Sequence, residues 1–365
     1  MINKKKKEYI LYGFTILLFL LIWLELKLLG FNFMQSDVQG YWIDSLNWET
    51  PFHPHHVPLY PLLIAGFRGI TFNIFRPLVY MIGITIACLI LAIISIKKIS
   101  LTILPNSVIY LIPILLLVIW PLAGIYAVVY PLDDYVAISI FLFGLLLFIK
   151  NKPAFGSIVW GLAMITHKAI WPFVGLSYLV WSVIELQQVK IKWLFHSFLL
   201  LLPLVSLWIG GAAYYSNWKW ILSSNLGEIY NHEMLIPFRG IINAFLLGDP
   251  ASILKGSVMV FLLLLTVGIM VVLIKNKPVH FLYGLSITIA VLLMAMMLSE
   301  MLTWGFVRFS RLLVIPILLI ISDLRQKGKI QITKPLQKWL IVIAIILMTL
   351  SQFVFVYYMA RIYFI

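Results

Sequence analysis

Charge is what this chain has least of. Only 11% of its 365 residues are Asp, Glu, Lys or Arg, against about a quarter in a soluble domain, too few to cover its surface in water. Acids are the scarcer sign: 13 Asp and Glu stand against 27 Lys and Arg, a net charge of +14. Cysteine is almost absent. The single Cys88 excludes an intramolecular disulfide and a cysteine zinc site, and leaves the redox compartment open. A glycine-rich phosphate loop, a nucleophile elbow and a zinc-protease helix are all missing, which removes three common routes to chemistry. Internal repeats and low-complexity linkers are missing too, so one domain over residues 1–365 is expected.

What remains is apolar. Hydrophobic residues make up 63% of the chain, and Tyr9–Leu24, Arg76–Ile96, Leu104–Tyr126, Trp193–Tyr215 and Trp339–Tyr358 are of about the length that crosses a bilayer core. In hydrocarbon every backbone polar group must be paired within the protein, and a closed barrel would alternate polar and apolar residues. These runs do not alternate, so they are expected to be helices. Adding the shorter runs Val136–Ile149, Gly156–Thr166, Ala169–Leu186, Ser257–Ile274, Phe281–Met297 and Leu312–Ile321 gives an all-α, polytopic transmembrane helical bundle of about 11 helices (10–12). Val57–Phe67 reads as an interfacial or re-entrant piece. The run Lys4–Lys7 before the first apolar stretch imitates a signal peptide. No small-residue cleavage site follows, so a retained first helix is expected.

Orientation follows from the basic residues. With a cytoplasmic N-terminus, the inner connections collect Lys4–Lys7, Lys97, Lys98, Lys150, Lys152, Lys190, Lys192, Lys275, Lys277, Arg325, Lys327, Lys329, Lys334 and Lys338. Of the 13 acids only Glu8, Glu185 and Asp323 fall inside. The positive excess is therefore topology and attraction to anionic lipid. Short flanking groups of lysine exclude a nucleic-acid surface. The lysine-rich, proline-flanked loops point to a bacterial plasma membrane with the working face outside. Two outer segments are long, 30–75 and 216–256, and long loops in compact folds usually carry function.

The chemistry-bearing residues gather on that outer face. In the first outer loop, Asp37, Tyr41, Asp44 and Trp48 share one stripe of an expected interfacial helix. Met34, Val38, Trp42 and Leu46 form a neighbouring apolar stripe suited to lipid. An ordinary interfacial helix with solvated acids has the same pattern. Next, His53, His55 and His56 lie among prolines that impose extended and turn geometry. They are possible metal ligands, although wet-loop histidines more often bond water or backbone.

Further on, Asp133 is placed to cap the helix that follows, while Asp134 beside it, at membrane depth, marks a candidate site. Thr166-His167-Lys168 interrupts two apolar runs, and Lys168 either snorkels to the interface or serves a site. Arg308 and Arg311 are three apart and share a face. They suit a phosphate held by charge-assisted bonds, or anchoring to lipid phosphates.

Taken in order, these segments resemble the GT-C superfamily of membrane glycosyltransferases. Asp37 and Tyr41 follow the first helix. Phe52-His53-Pro54-His55-His56-Val57-Pro58-Leu59-Tyr60-Pro61-Leu62-Leu63 is similar to the family's "HPPLYPLL" run, with His55 in place of a usual proline. Asp133-Asp134 stand where a second outer acid is expected. The run from Gly156 to Lys168 resembles the "AGxxxGLAxLTK" helix, with His167 splitting the Thr-Lys pair. Arg308-Phe309-Ser310-Arg311-Leu312-Leu313-Val314-Ile315-Pro316 is like the arginine-led late helix. The likeness is good in the first half of the chain and poor in the second.

The resemblance implies an inverting transferase that uses a polyprenyl-phosphate sugar donor and a glycan, lipid or protein acceptor. Asp37 would be the catalytic base. Asp44, Asp133, Asp134, His53 and His55 would orient the acceptor or hold a divalent cation (Mg or Mn), and Lys168, Arg308 and Arg311 would hold the donor phosphate. Two other classes compete. A transporter or lipid flippase would normally show paired repeats and midplane charges. An oligosaccharide polymerase or ligase of the cell envelope would want a larger outer loop than 216–256.

Overall fold

The computed structural model describes residues 4–30, 36–46, 59–103, 111–120, 133–186, 190–218, 238–246, 248, 250–296, 303–329 and 335–364. Among these every regular element is a helix: α1 (Lys4–Leu28), α2 (Ser36–Leu46), α3 (Leu59–Ile70), α4 (Pro77–Ile103), α5 (Leu111–Val118), α6 (Asp134–Ile149), α7 (Pro153–Met164), α8 (Trp171–Leu186), α9 (Lys190–Tyr215), α10 (Arg239–Leu246), α11 (Pro250–Asn276), α12 (Phe281–Met296), α13 (Thr303–Phe309), α14 (Val314–Gln326) and α15 (Pro335–Phe364). Two 3₁₀ turns, Lys168–Ile170 and Ser310–Leu313, precede α8 and α14.

Four stretches, Glu8–Leu28, Pro77–Ile103, Lys192–Tyr214 and Gly256–Asn276, are long and apolar enough to cross a bilayer, and they mark the chain as a helical membrane protein. Among the other apolar helices α15 is 30 residues long, while α3, α6, α7, α8 and α12 are shorter, with 12 to 16 residues. The 12 residues of α7 rise only ~18 Å, against a hydrocarbon core of about 30 Å. The expected layout of about 11 full spans is therefore matched as a run of helices, and in span length only in part. Of the expected span Leu104–Tyr126, the described helix is α5 alone. The expected second outer segment, 216–256, is partly helical: α10 lies within it and α11 already begins at Pro250.

The centre of the bundle is built on aromatic residues and glycine. Trp160 of α7 is fully buried and donates its indole N–H to Phe141 O at 3.0 Å. It stacks on Phe148, with ring centroids 4.2 Å apart. Gly144 of α6 makes room for that indole, and Gly161 lets α7 approach α9 at Leu200 O and Pro203. A side chain at Gly161 would collide with a backbone carbonyl that cannot swing away. Gly161→Ala is expected to cost about 1–3 kcal/mol of stability by overpacking. Gly175→Ala, in open space on α8, should stabilise by a few tenths to about 1 kcal/mol through helix propensity. Thermal unfolding of the purified variants in one detergent checks both signs.

Helix direction separates two ends of the bundle. α4 and α6 run side by side in parallel: Tyr80 and Met81 pack with Val136, and Ser139 donates to Cys88 O at 2.6 Å. Asp134 therefore lies at the Tyr80 end. Further along α4, about 25 Å away by helical rise, Lys97 pairs with Glu8 of α1 at 2.9 Å. Residues assigned to the inner side by charge thus meet one another, and the acids Asp133 and Asp134 stand at the opposite end. Leu59 N–H, at the start of α3, bonds Ile165 O at 3.2 Å, which ties α3 to that same end.

The segment 30–75, expected on the outer side, carries two described helices, α2 and α3, whose burial differs in detail from the expected pattern. On α2, Val38, Tyr41, Asp44 and Ser45 are buried, while Ile43 and Leu46 are exposed. Val38 was expected on a lipid-facing stripe with Leu46; instead it packs into the protein with Tyr60, Ile64 and Val136. Arg68 of α3 locks the pair by donating to Ser45 O at 2.9 Å and lying 4.8 Å over the Trp42 ring.

Candidate functional site

The site begins where α6 begins. Asp133 sits at the helix N-cap, already in the right-handed helical region (φ −71°, ψ −10°), and its side chain makes no capping hydrogen bond. The expected capping role is therefore corrected. An N-cap carboxylate reaches the N2 or N3 amide from extended backbone, which Asp133 does not have. Its Oδ1 instead lies 3.8 Å from His167 Nε2. Asp134 is fully buried, and its two oxygens face different partners: Oδ2 accepts a bond from Arg308 Nη1 at 2.7 Å, and Oδ1 lies 3.8 Å from His167 Nε2.

His167 is placed by a break in the helix. α7 ends at Met164, Thr166 returns its hydroxyl to Leu162 O at 2.9 Å, and Trp171 returns its indole N–H to Met164 O at 2.7 Å. Those bonds fix a tight reversal whose apex is His167. Its Nδ1 accepts the Ala169 amide N–H at 3.0 Å, and its ring rests against Phe309 at 4.8 Å between centroids. Arg308 and Phe309 arrive together from the end of α13, so one short helix supplies both the counter-ion of Asp134 and the wall behind His167.

Arg311 follows in the 3₁₀ turn. It is fully buried, donates Nε–H to Arg308 O, and lies 4.4 Å over the Tyr135 ring. Among the described residues its Nη1 and Nη2 make no hydrogen bond within bonding geometry. Trp120 supports the turn by donating to the buried Ser310 hydroxyl at 3.0 Å. The two arginines were expected to share one open face toward a phosphate. The structure instead commits Arg308 to Asp134 and sinks Arg311 into the protein.

Asp37 lies on α2; its side chain, like that of Lys168, is outside the described part. Its helix nevertheless leads to the site. Tyr41, one turn on, meets the Tyr60 ring edge-on at 5.1 Å. Burial pushes the Tyr60 phenol far above its ordinary pKa, a hydrogen bond with Thr85 opposes this, and the Asp133 carboxylate adds to the rise. Tyr60 thus joins the α2 face, through Tyr41, to the electrostatic surroundings of Asp133. Asp44 is buried on that α2 face. His53 and His55 lie outside the described residues. His167 and Tyr60 are the members that sequence reasoning did not assign. The available signal for His167 was its intrusion between two apolar runs.

Among the described residues, one group of three potential metal ligands stands within 4.8 Å of one another: Asp133, Asp134 and His167. The donor set does not fit a divalent cation ligated by His167. A ligating imidazole offers one nitrogen's lone pair and donates from the other. Here Nδ1 is the acceptor, so the neutral ring carries its proton on Nε2, the atom that faces the acids. Arg308 also already balances Asp134. Compared with protein-family models, with curated proteins and with solved structures, the chain matches none. The chemistry of the site is therefore read from its own atoms.

Proposed function

We propose that this protein is a membrane glycosyltransferase that moves a sugar, with inversion, from a polyprenyl-phosphate donor to an acceptor hydroxyl at the outer face. The observation that carries the reading is the meeting of Asp134 with Arg308, 174 residues apart in sequence, beside Asp133 and His167 at one end of an apolar bundle. Buried ionisable groups in membrane helices are expensive and usually functional. Two carboxylates, two guanidiniums and an imidazole suit a reaction in which a neutral hydroxyl is activated and an anion departs.

In the proposed reaction the acceptor oxygen forms a bond to the anomeric carbon, and its proton passes to the Asp37 carboxylate as general base. The bond from that carbon to the phosphate oxygen breaks, and the leaving polyprenyl phosphate takes the electron pair. Cations in a water-poor pocket stabilise the charge that develops there. A guanidinium has five N–H donors. The pair with Asp134 uses Arg308 Nη1, and Arg311 brings two Nη atoms that make no hydrogen bond among the described residues. The polyprenyl tail stays in lipid, gaining about 0.8 kcal/mol per buried methylene. The acids orient the sugar or acceptor hydroxyls, and no step is routed through a metal.

Arg311 provides a test that separates function from packing. A buried guanidinium with unpartnered nitrogens costs stability, and an apolar replacement of similar volume is commonly neutral or stabilising. Arg311→Met is expected to leave the melting temperature unchanged or higher, yet to raise the apparent KM for a radiolabelled polyprenyl-phosphate hexose by about 10- to 100-fold. Proteoliposome transfer assays measure this. An unchanged KM in a well-folded variant would return Arg311 to a structural role, and wild-type protein inactive on every such donor would remove the transferase reading.

A further inference from the structure

α2 carries Asp37, yet among the described elements it packs chiefly on α3. It has 11 residues, with Gly40 near its middle, and helices shorter than about 12–15 residues are marginal by themselves in water. What fixes it must therefore come from outside. Tyr60, Ile64 and Arg68 follow one another at four-residue spacing on α3, so they share a face. The first two pack with Val38 and Tyr41 in an apolar contact, which is non-directional and sets neither rotation nor tilt. The third supplies direction. Arg68 Nη1 donates to Ser45 O at 2.9 Å, and the guanidinium lies 4.8 Å over Trp42. Trp42 in turn stacks on Tyr80 of α4, with centroids 6.2 Å apart. Ser45 O is among the last four carbonyls of α2, which have no partner within the helix and favour a cation.

Arg68 is itself held from the turn beyond α3. Its Nε donates to Asn73 Oδ1 at 3.3 Å, and Asn73 donates its backbone N–H to Arg68 O at 3.0 Å. Asn73 makes both contacts from the left-handed region, at φ +58°, which asparagine tolerates better than most side chains. The same turn is tied to α4 by Tyr80, whose hydroxyl accepts the Phe75 N–H at 3.0 Å. We propose that Arg68 is a positioning residue: it fixes α2, and with it the backbone from which Asp37 acts, against α3 and α4. That this serves proton transfer rests on the transferase reading above; that Arg68 holds α2 does not. Misplacing a reacting group by about 1 Å is enough to cost about 100-fold in rate.

Spin labels test the clamp, and kinetics test its purpose. The single Cys88 is removed as Cys88→Ala, and labels are attached at Ile43→Cys on α2 and Phe155→Cys on α7, both exposed positions. Electron–electron distance measurements in nanodiscs should give one narrow distance with Arg68 present and a broadened distribution in Arg68→Ala. In unlabelled protein, Arg68→Ala should lower kcat for polyprenyl-phosphate hexose by about 10- to 100-fold and leave KM for that donor within about twofold. Arg68→Lys keeps the charge without the planar fork, and its kcat should fall in between. Asn73→Gly keeps the left-handed backbone and loses only the amide; it should shift both readouts the same way by less, and it carries the test if Arg68→Ala does not fold. A narrow distance in Arg68→Ala would overturn the clamp. A broadened distance with wild-type kcat, or a loss confined to KM, would overturn the positioning role. Wild type that transfers no sugar removes the transferase reading and Arg68's part in it, while the distances still decide whether Arg68 holds α2.

Discussion

Arg308→Ala is expected to destabilise the protein by about 3–5 kcal/mol, the range for breaking a buried ion pair from one side. The reason lies in the partner left behind. The Asp134 side chain is 0% exposed and that of Arg308 only 19%, with Nη1 and Oδ2 at 2.7 Å. Removing the guanidinium leaves a carboxylate with no water to solvate it. The double variant Arg308→Ala/Asp134→Ala should recover most of that loss, because no charge is then stranded. A double-mutant cycle of melting temperatures in one detergent measures the coupling. Additive single effects would mean that the pair is not formed in solution. The stability recovered in the double variant should not bring back sugar transfer, since both site charges are gone.

Asp37→Asn has the largest expected effect on activity. Removing a general base typically costs 10²- to 10⁴-fold. The change keeps side-chain volume, and expression and melting temperature should stay near those of the wild type. The measurement is kcat for polyprenyl-phosphate hexose turnover, with expression and unfolding recorded in parallel. Transfer at a near wild-type rate would reject Asp37 as the base. Asp44, on the same helix and buried on the face that carries Tyr41, would then be the next residue to examine.

The long helices were legible because their signal is local: α1, α4, α9 and α11 are apolar over the thickness of a bilayer, and nothing else explains such runs. The two helices α2 and α3 were legible for a related reason, since prolines and polar residues bound them in the sequence. The site was legible only as a set of residue types. Asp133 before a helix has the same signature whether it caps or faces a cleft, and only backbone angles separate the two. The three-residue spacing of Arg308 and Arg311 did bring them together. It joins Arg311 Nε to the Arg308 carbonyl, while the Arg308 guanidinium turns to Asp134. The pairing of Arg308 with Asp134 spans 174 residues, and no local pattern encodes such a contact. His167 looked like an interruption in an apolar run. Its meaning lies in the reversal between α7 and α8, which forms only when Trp171 and Thr166 bond back to α7.

The most direct measurement is a structure of the protein in nanodiscs with a short-chain polyprenyl phosphate, the leaving group of the proposed reaction. The phosphate should lie within hydrogen-bond reach of Arg308 or Arg311 at the Asp133–Asp134–His167 end of the bundle, with its tail leaving sideways into lipid. Polyprenyl phosphate bound at the opposite end, near Lys97 and Glu8, or along a path through the middle of the helices, would contradict the account and favour a transport function.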